Sequence, residues 1–393
     1  MHVLAGAAAR TGGPAAAVFQ LSRALREAGV ESVIYTTDLD GSASDATAAP
    51  VALFELPPGA EHLDLRMFRA RPPRRLAYSP GLGRTVRRDA RAFDVMHIHS
   101  LWLYPQWVGY VAAQRVGVPF VVSLAGALNP WFRARARGRK AVAWVLWQRR
   151  CLSRAGAIHA TTDEEAANAY HLAPNVMRCV VPNPVDVESF EPRYARAFAR
   201  TRPDDSPLVL YVGRLSPVKG LDLLIRALDP VSRVFPSVRL VIAGPDDGRL
   251  VRELASLAAQ LGVGARVTFT GMIDSVERAR LLRQADLFVL PSRSENFAVA
   301  AVEAMAAGVP VVLSSAVNGA ADHARAGAAV IAGLDADDLA TRIVAVLGDA
   351  SAREAMARAG VRRAQVFARP AVANAACAMY TSLLSRRATR PCQ

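Results

Sequence analysis

The chain has 393 residues, 52% hydrophobic and 21% charged, a balance that supports large buried cores and excludes a disordered chain. That length exceeds one ordinary core and points to two domains of roughly 150–200 residues each. The formal net charge of +14 favours an acidic partner; without a zinc finger, RNP-like motif or helix-turn-helix, nucleic acid is not expected, and an anionic substrate or membrane surface fits better.

Met1-His2-Val3-Leu4 reads as a first strand and not a signal peptide, and no apolar run reaches the ~20 residues that span a bilayer. Strand-like runs at 32–36, 95–99, 119–123 and 157–161 then alternate with helical stretches. A second alternating set follows at 209–212, 239–244, 267–269, 287–290 and 310–313. Alternation of this kind predicts α/β architecture, a mostly parallel sheet with helices on both faces in each half. Between the halves, residues 181–205 are rich in Pro, Asp and Glu, and 202–207 carry a linker signature. The cysteines (Cys151, Cys179, Cys377, Cys392) lack Cys-x-x-Cys spacing and read as reduced thiols of a cytoplasmic protein.

In the first half, Thr11-Gly12-Gly13-Pro14 follows the first strand, where glycines let a backbone approach a phosphate or sugar; an ordinary turn explains the pair equally well. His97 and His99 are read as facing opposite sides of their strand. His99, nearer its carboxyl end, is expected to hold a ligand hydroxyl, with structural hydrogen bonding as the alternative. The stretch 131–154 interleaves Trp131, Phe132, Trp144 and Trp147 with eight Arg and Lys residues. It suits either contact with anionic lipid or a core pair of tryptophans under a solvated Arg face.

In the second half, strand 208–212 runs into Gly213-Arg214-Leu215-Ser216-Pro217-Val218-Lys219-Gly220, two cations at a strand's carboxyl end. Strand 285–290 runs into Pro291, Ser292 and Ser294, which read as turn and cap residues, so a helix is predicted from about Glu295 to Gly308. Glu295 and Glu303 then stand roughly 12 Å apart along the axis, too far to flank one anomeric carbon as glycosidase carboxylates do at about 5–9 Å. A carboxylate also suits a vicinal diol, since it accepts two hydrogen bonds. Asp246-Asp247 reads as a turn, and with no Asp-x-Asp element near a diphosphate no metal is expected.

Gly213-Arg214-Leu215 with Lys219-Gly220, Ser294-Glu295-Asn296-Phe297 and the Glu-x7-Glu spacing to Glu303-Ala304-Met305-Ala306 closely resemble the retaining nucleotide-sugar glycosyltransferases of family 4, glycosyl transferases group 1. The resemblance continues in Val181–Asp186, Gly271 and Thr11–Pro14, and covers the chain, more loosely in its first half. It implies the GT-B fold, two Rossmann-like doubly wound domains facing across a cleft. Residues 1–182 would bind the acceptor, 183–370 the donor, and 371–393 would form a helix packing back towards the N-terminal domain, with a basic tail; Asn183–Asp186 would be the hinge. By the same resemblance Arg214 and Lys219 contact the donor diphosphate, Glu295 the sugar hydroxyls and Glu303 the ribose. Asn296 and Phe297 amides lie near the sugar, Met272 and Ile273 border the base, and Gly12, Gly13, Gly213 and Gly271 complete the donor site. Many members carry a His after the strand ending at Ser123; this chain has Leu124-Ala125-Gly126 there, and Gly126 offers close backbone approach instead.

The resemblance thus implies a retaining, metal-independent hexosyltransferase with a UDP- or GDP-linked sugar as co-substrate and no further cofactor. Its acceptor would be a glycan or lipid-linked oligosaccharide in polysaccharide or lipopolysaccharide biosynthesis, with peripheral contact at the inner face of the cytoplasmic membrane. A soluble small-molecule acceptor is the alternative. A non-catalytic nucleotide-sugar or nucleic-acid binding protein is the reading from another class, disfavoured by four intact donor-site residues.

Overall fold

The computed structural model describes residues 1–7, 13–39, 62–128, 137–190, 192, 206–246 and 248–388. Two compact units result, Met1–Pro184 with Arg369–Gln393, and Val185–Ala368.

The first unit holds seven parallel strands: β1 (His2–Val3), β2 (Val33–Thr37), β3 (Asp64–Phe68), β4 (Met96–His99), β5 (Phe120–Ser123), β6 (Ala157–Ala160) and β7 (Met177–Val180), in the order β3-β2-β1-β4-β5-β6-β7. The central strands are buried throughout, as parallel strands covered on both faces should be, although β4 and β6 carry histidines among their apolar residues. β3 and β7 escape sequence reading because they are half-exposed edge strands carrying Arg66 and Arg178. The terminal helix Arg369–Ala388 packs Val372, Ala376, Met379 and Leu383 onto Leu21 and Leu25 of helix Gly13–Glu27 and onto Val121 of β5.

On the face of β4 beneath that helix lies a chain of buried imidazoles. His97 and His99 do not face opposite sides: residues two apart in a strand share a face, and their rings stack at 4.2 Å. His159 Nε2 lies 2.7 Å from the Val181 carbonyl, which can only accept, so His159 Nδ1 must accept from His97 Nε2 at 3.1 Å. His97 Nδ1 then accepts from the Tyr380 hydroxyl at 2.7 Å, which ties the terminal helix to the sheet. His99 Nε2 pairs with His2 Nδ1 at 2.9 Å, so His99 is an interior side chain, contrary to the expectation that it meets a ligand. Ring nitrogens of His2, His97 and His99 lie within 4.8 Å of one another, but both nitrogens of His97 are already committed to hydrogen bonds, which leaves a network of neutral rings and not a ready metal site.

The second unit holds six parallel strands: β8 (Leu208–Val212), β9 (Arg239–Ala243), β10 (Val267–Gly271), β11 (Leu287–Leu290), β12 (Val311–Ser314) and β13 (Val330–Ala332), in the order β10-β9-β8-β11-β12-β13. Helix Leu221–Val234 buries Leu221, Leu224, Ile225, Leu228 and Val231, a stripe at helical spacing, in one core with Leu339, Ile343 and Val346 of helix Ala336–Gly348. In both sheets the winding direction reverses, between β1 and β4 in the first and between β8 and β11 in the second. Such reversals open a crevice at the carboxyl ends of the two strands, where ligands bind.

Burial holds His2, His97, His99 and His159 below the ordinary imidazole range. The unfolded chain therefore takes up protons first, and stability is fully present above about pH 6.5 and drains as pH falls, by up to about 1.4 kcal/mol per pH unit for each imidazole. Denaturant unfolding at pH 7.5 and 5.5 should show a marked loss at the lower pH; equal stability at both would refute the neutral network.

Candidate functional site

The reversal between β8 and β11 decides which loops meet. Beyond β8 the chain turns at Gly213, and Gly244, after β9, presses against it: a Cβ on Gly244 would sit 2.0 Å from the Gly213 carbonyl oxygen. The Gly244 amide donates to the Gly271 carbonyl at 2.8 Å, so the loops after β8, β9 and β10 are stitched edge to edge. The buried Tyr211 hydroxyl donates to the Arg214 carbonyl at 3.1 Å, fixing that backbone while the Arg214 side chain is exposed and, among the described residues, has no carboxylate partner.

A single 3-10 turn, Pro217–Lys219, ends at Gly220, whose φ is 66° and whose Cβ, if present, would lie 2.1 Å from the Pro291 carbonyl oxygen. Only glycine lets this turn sit against the end of β11. There Lys219 Nζ donates to Glu295 Oε2, with both side chains about four-fifths buried (19% and 18% exposed). Arg293, which sequence reasoning missed, clips the two loops together. Its amide donates to the Val218 carbonyl at 2.7 Å, and its guanidinium grips Asp222 through two bonds of 2.7 Å. That pairing holds the Asp222 carboxyl below its usual range. An Arg two residues before Glu295 and an Asp three after Lys219 were the available signal; only pairing them in space makes it readable.

Glu295 does not open a helix as expected. Its amide donates to the Ala316 carbonyl at 3.2 Å and its carbonyl accepts from Asn318 at 3.0 Å, a bridge that keeps the chain extended. Ala298, at φ 59°, turns it into helix Val299–Ala306 four residues later. Ser292 and Ser294 are accordingly not caps, and their hydroxyls are buried without a partner among the described residues. The axial separation estimated for two carboxylates on one helix therefore does not apply. The Asn296 amide donates to Glu295 Oε1 at 3.1 Å, whereas the Phe297 ring is buried against Phe367, centroids 5.4 Å apart, and leaves only its backbone to the site.

Glu303 sits within that helix, buried, its Oε1 2.7 Å from an Arg278 guanidinium nitrogen. Burial pushes its carboxyl up, Arg278 pulls it down, and Asp186 adds a smaller upward push. Gly271 ends β10, Met272 is exposed and Ile273 is half-buried against the core. Gly12 lies outside the described residues; Gly13 is exposed at the start of helix Gly13–Glu27, with nothing within 4 Å of the position its Cβ would take.

In the first unit, backbone strain gathers at the ends of β4 and β5. Ser100 (φ 68°), Trp102 (φ 76°) and Ala125 (φ 47°) are left-handed without being glycine, a costly conformation that collects at ligand-handling loops. Buried Glu165, unread in the sequence, accepts from the Gly126 amide at 2.6 Å and the Thr161 amide at 2.7 Å, pinning the loop after β5. Gln148, in the π-helical turn Trp144–Gln148, accepts from the Trp102 amide at 3.0 Å, while its own Nε2 and the Trp102 and Trp147 indole nitrogens are buried without partners among the described residues. Of the basic, aromatic stretch, 131–136 lie outside the described residues. Beyond them Trp144 packs on the core, and Val142, Val145 and Leu146 are exposed (60%, 73% and 60%) beside exposed Arg149 and Arg150.

Residues 12–184 match the glycosyl transferase 4-like domain, and residues 195–363 match glycosyl transferases group 1. A D-inositol 3-phosphate glycosyltransferase of Xylanimonas cellulosilytica is 34% identical over 336 residues, 78% of this chain and 76% of that one. Its counterpart in Thermobispora bispora is 32% identical over 405 residues, covering 95% and 91%. Among solved structures, sucrose-phosphate synthase of Thermosynechococcus elongatus superposes with a TM-score of 0.72 at 24% identity over 95% of this chain and 94% of that one. Anabaena HepE in complex with UDP-glucose gives 0.72 at 20% identity over 97% and 100%. The chain belongs to family 4 of the glycosyltransferases, glycosyl transferases group 1, and is a glycosyltransferase of GT-B fold.

Gly220→Ala forces a Cβ onto the Pro291 carbonyl in a left-handed conformation. It should lower unfolding free energy by about 1–3 kcal/mol, read by denaturant titration; a neutral result would mean that the turn carrying Lys219 is not held as described.

Proposed function

We propose that this glycosyltransferase is a retaining, metal-independent hexosyltransferase that moves a sugar from a UDP-sugar to a small soluble polyol or its phosphate. The observation that carries the reading is Lys219 paired with Glu295 across the β8/β11 crevice, with the exposed guanidinium of Arg214, which has no carboxylate partner among the described residues, on the loop after β8. Arg214 can grip the donor diphosphate bidentately and Lys219 acts on it as a point charge. As the diphosphate arrives it competes for Lys219, which frees Glu295 to accept hydrogen bonds from the sugar hydroxyls. Two fixed cations then stabilise the charge that grows on the departing phosphate, the role that a metal fills in other sites. Retention follows a same-face path: the acceptor oxygen bonds to the anomeric carbon, the bond from that carbon to the phosphate oxygen breaks, and the acceptor proton passes to that phosphate oxygen.

Two considerations support the donor and acceptor classes. The relatives named above are D-inositol 3-phosphate glycosyltransferases, which favours a small polyol acceptor over a lipid-linked glycan, and HepE was solved with UDP-glucose. The strained loops after β4 and β5, with N–H groups of Gln148 and Trp102 that have no partner among the described residues, suit an oxygen-rich acceptor. One observation favours peripheral membrane contact as a second reading, the exposed Val142, Val145 and Leu146 beside Arg149 and Arg150. No helix among the described residues is long and apolar enough to cross a membrane.

Thermal unfolding with UDP, GDP and their sugars should single out UDP, with about 2.7 kcal/mol of stabilisation at a hundredfold excess over Kd. Transfer to inositol 3-phosphate should persist in EDTA and fall about 100–1000-fold in kcat for Lys219→Ala. Stabilisation by no nucleotide sinks the donor assignment. Transfer to lipid extracts but not to soluble polyols would move the acceptor to the membrane reading.

A further inference from the structure

The carboxylate read as the ribose ligand does not stand alone. Glu303 is buried in helix Val299–Ala306, and a buried carboxylate without a cationic partner tends to take up a proton and stop accepting two hydrogen bonds. Arg278 supplies that partner, with a guanidinium nitrogen 2.7 Å from Oε1 and nearly a third of its own side chain still exposed. Arg278 stands in the first turn of helix Ser275–Gln284, whose start is set by Asp274 accepting the Glu277 amide at 2.7 Å. That helix begins directly after Gly271-Met272-Ile273, the loop at the end of β10. One short, capped turn of helix therefore links the loop read as bordering the base to the carboxylate read as holding the ribose.

We propose that Arg278 is a positioning residue for the donor ribose: it holds Oε1 of Glu303 and leaves Oε2 to the ribose hydroxyls. This rests on the reading of Glu303 as the ribose ligand. Arg278 acts through Glu303 and does not touch the nucleotide's reacting atoms. Its loss should therefore weaken nucleotide binding and blunt the distinction between ribose and deoxyribose while sparing turnover at saturating donor. Among the described residues the charged groups that act on Glu303 are Arg278 and, weakly and in the opposite sense, Asp186, which keeps its place in any Arg278 variant.

The test compares UDP and 2′-deoxy-UDP binding by calorimetry at pH 6.5 and 8.5 for the full-length wild type, Arg278→Gln, Arg278→Lys and Glu303→Gln. The wild type should prefer UDP, by about tenfold or more for a hydrogen bond to a charged group. Arg278→Gln should lose most of that preference, more at pH 6.5 than at pH 8.5, because without the guanidinium burial favours the protonated carboxyl, whereas Arg278→Lys should keep it at both. A merely structural role would weaken both ligands alike at both pH values, and that result, or an unchanged preference in Arg278→Gln, overturns the proposal. Glu303→Gln separates the two levels. If it loses the preference while Arg278→Gln keeps it, the ribose reading stands and the role of Arg278 falls; if it binds both ligands as wild type does, the ribose reading falls and takes this inference with it.

Discussion

The ion pair between Lys219 and Glu295 depends on almost everything else in the second unit, and its geometry explains most of what surrounds it. Its partners are 76 residues apart and meet because the winding of the sheet reverses between β8 and β11, which puts the loops after those strands side by side. Close approach then requires a turn with no side chain at Gly220, a carbonyl at Pro291 to press against, and Arg293 reaching back to Asp222. Remove any of these and a lysine with a flexible four-carbon stem has no fixed place opposite the carboxylate.

A cation and a carboxylate that neutralise each other in a half-buried crevice also keep each other inexpensive before a ligand arrives. An isolated charge there would bear a desolvation penalty, and the pair offsets it. Arg214, more exposed, has no such need and has no carboxylate partner among the described residues. In the proposed function an incoming anion would meet Arg214 first and then exchange into the pair of Lys219 and Glu295. Glu303 follows the same logic further along the chain, with Arg278 as its counterweight.

The first unit handles its buried polar groups differently. The buried imidazoles of His2, His97, His99 and His159 are neutral and paired through one another, through Tyr380 and through the Val181 carbonyl, so the polar cluster under the terminal helix needs no counter-ion. Strain is stored elsewhere, in left-handed Ser100, Trp102 and Ala125 at strand ends, where Glu165 and Gln148 hold the loops in place. Rigid polar packing beneath and strained backbone at the sheet's carboxyl edge are separate devices, and only the second borders the crevice where ligands of such sheets bind.

Alternating apolar runs made both parallel sheets legible, because strands covered on both faces must be apolar whatever their neighbours. Arg214, Lys219, Glu295 and Glu303 could be singled out as candidates too, since their spacing within short segments is local. Where the helix after β11 begins was not: the bridge from Glu295 to residues 316–318 outcompetes the capping chemistry of Ser292 and Ser294, and that bridge is long-range. His99 was misplaced because residues two apart share a strand face, which puts it beside His97, and because its partner His2 lies on β1, a neighbour that only the strand order reveals. Arg278, Arg293, Asp222 and Glu165 are ordinary charged residues in sequence, and only the tertiary structure gives them partners. The sequence by itself thus determined the α/β fold class, through local pattern, and nominated Arg214, Lys219, Glu295 and Glu303 for donor chemistry through a family resemblance. Which charges face one another was decided by the order of strands in each sheet, because that order alone brings distant loops within hydrogen-bonding distance.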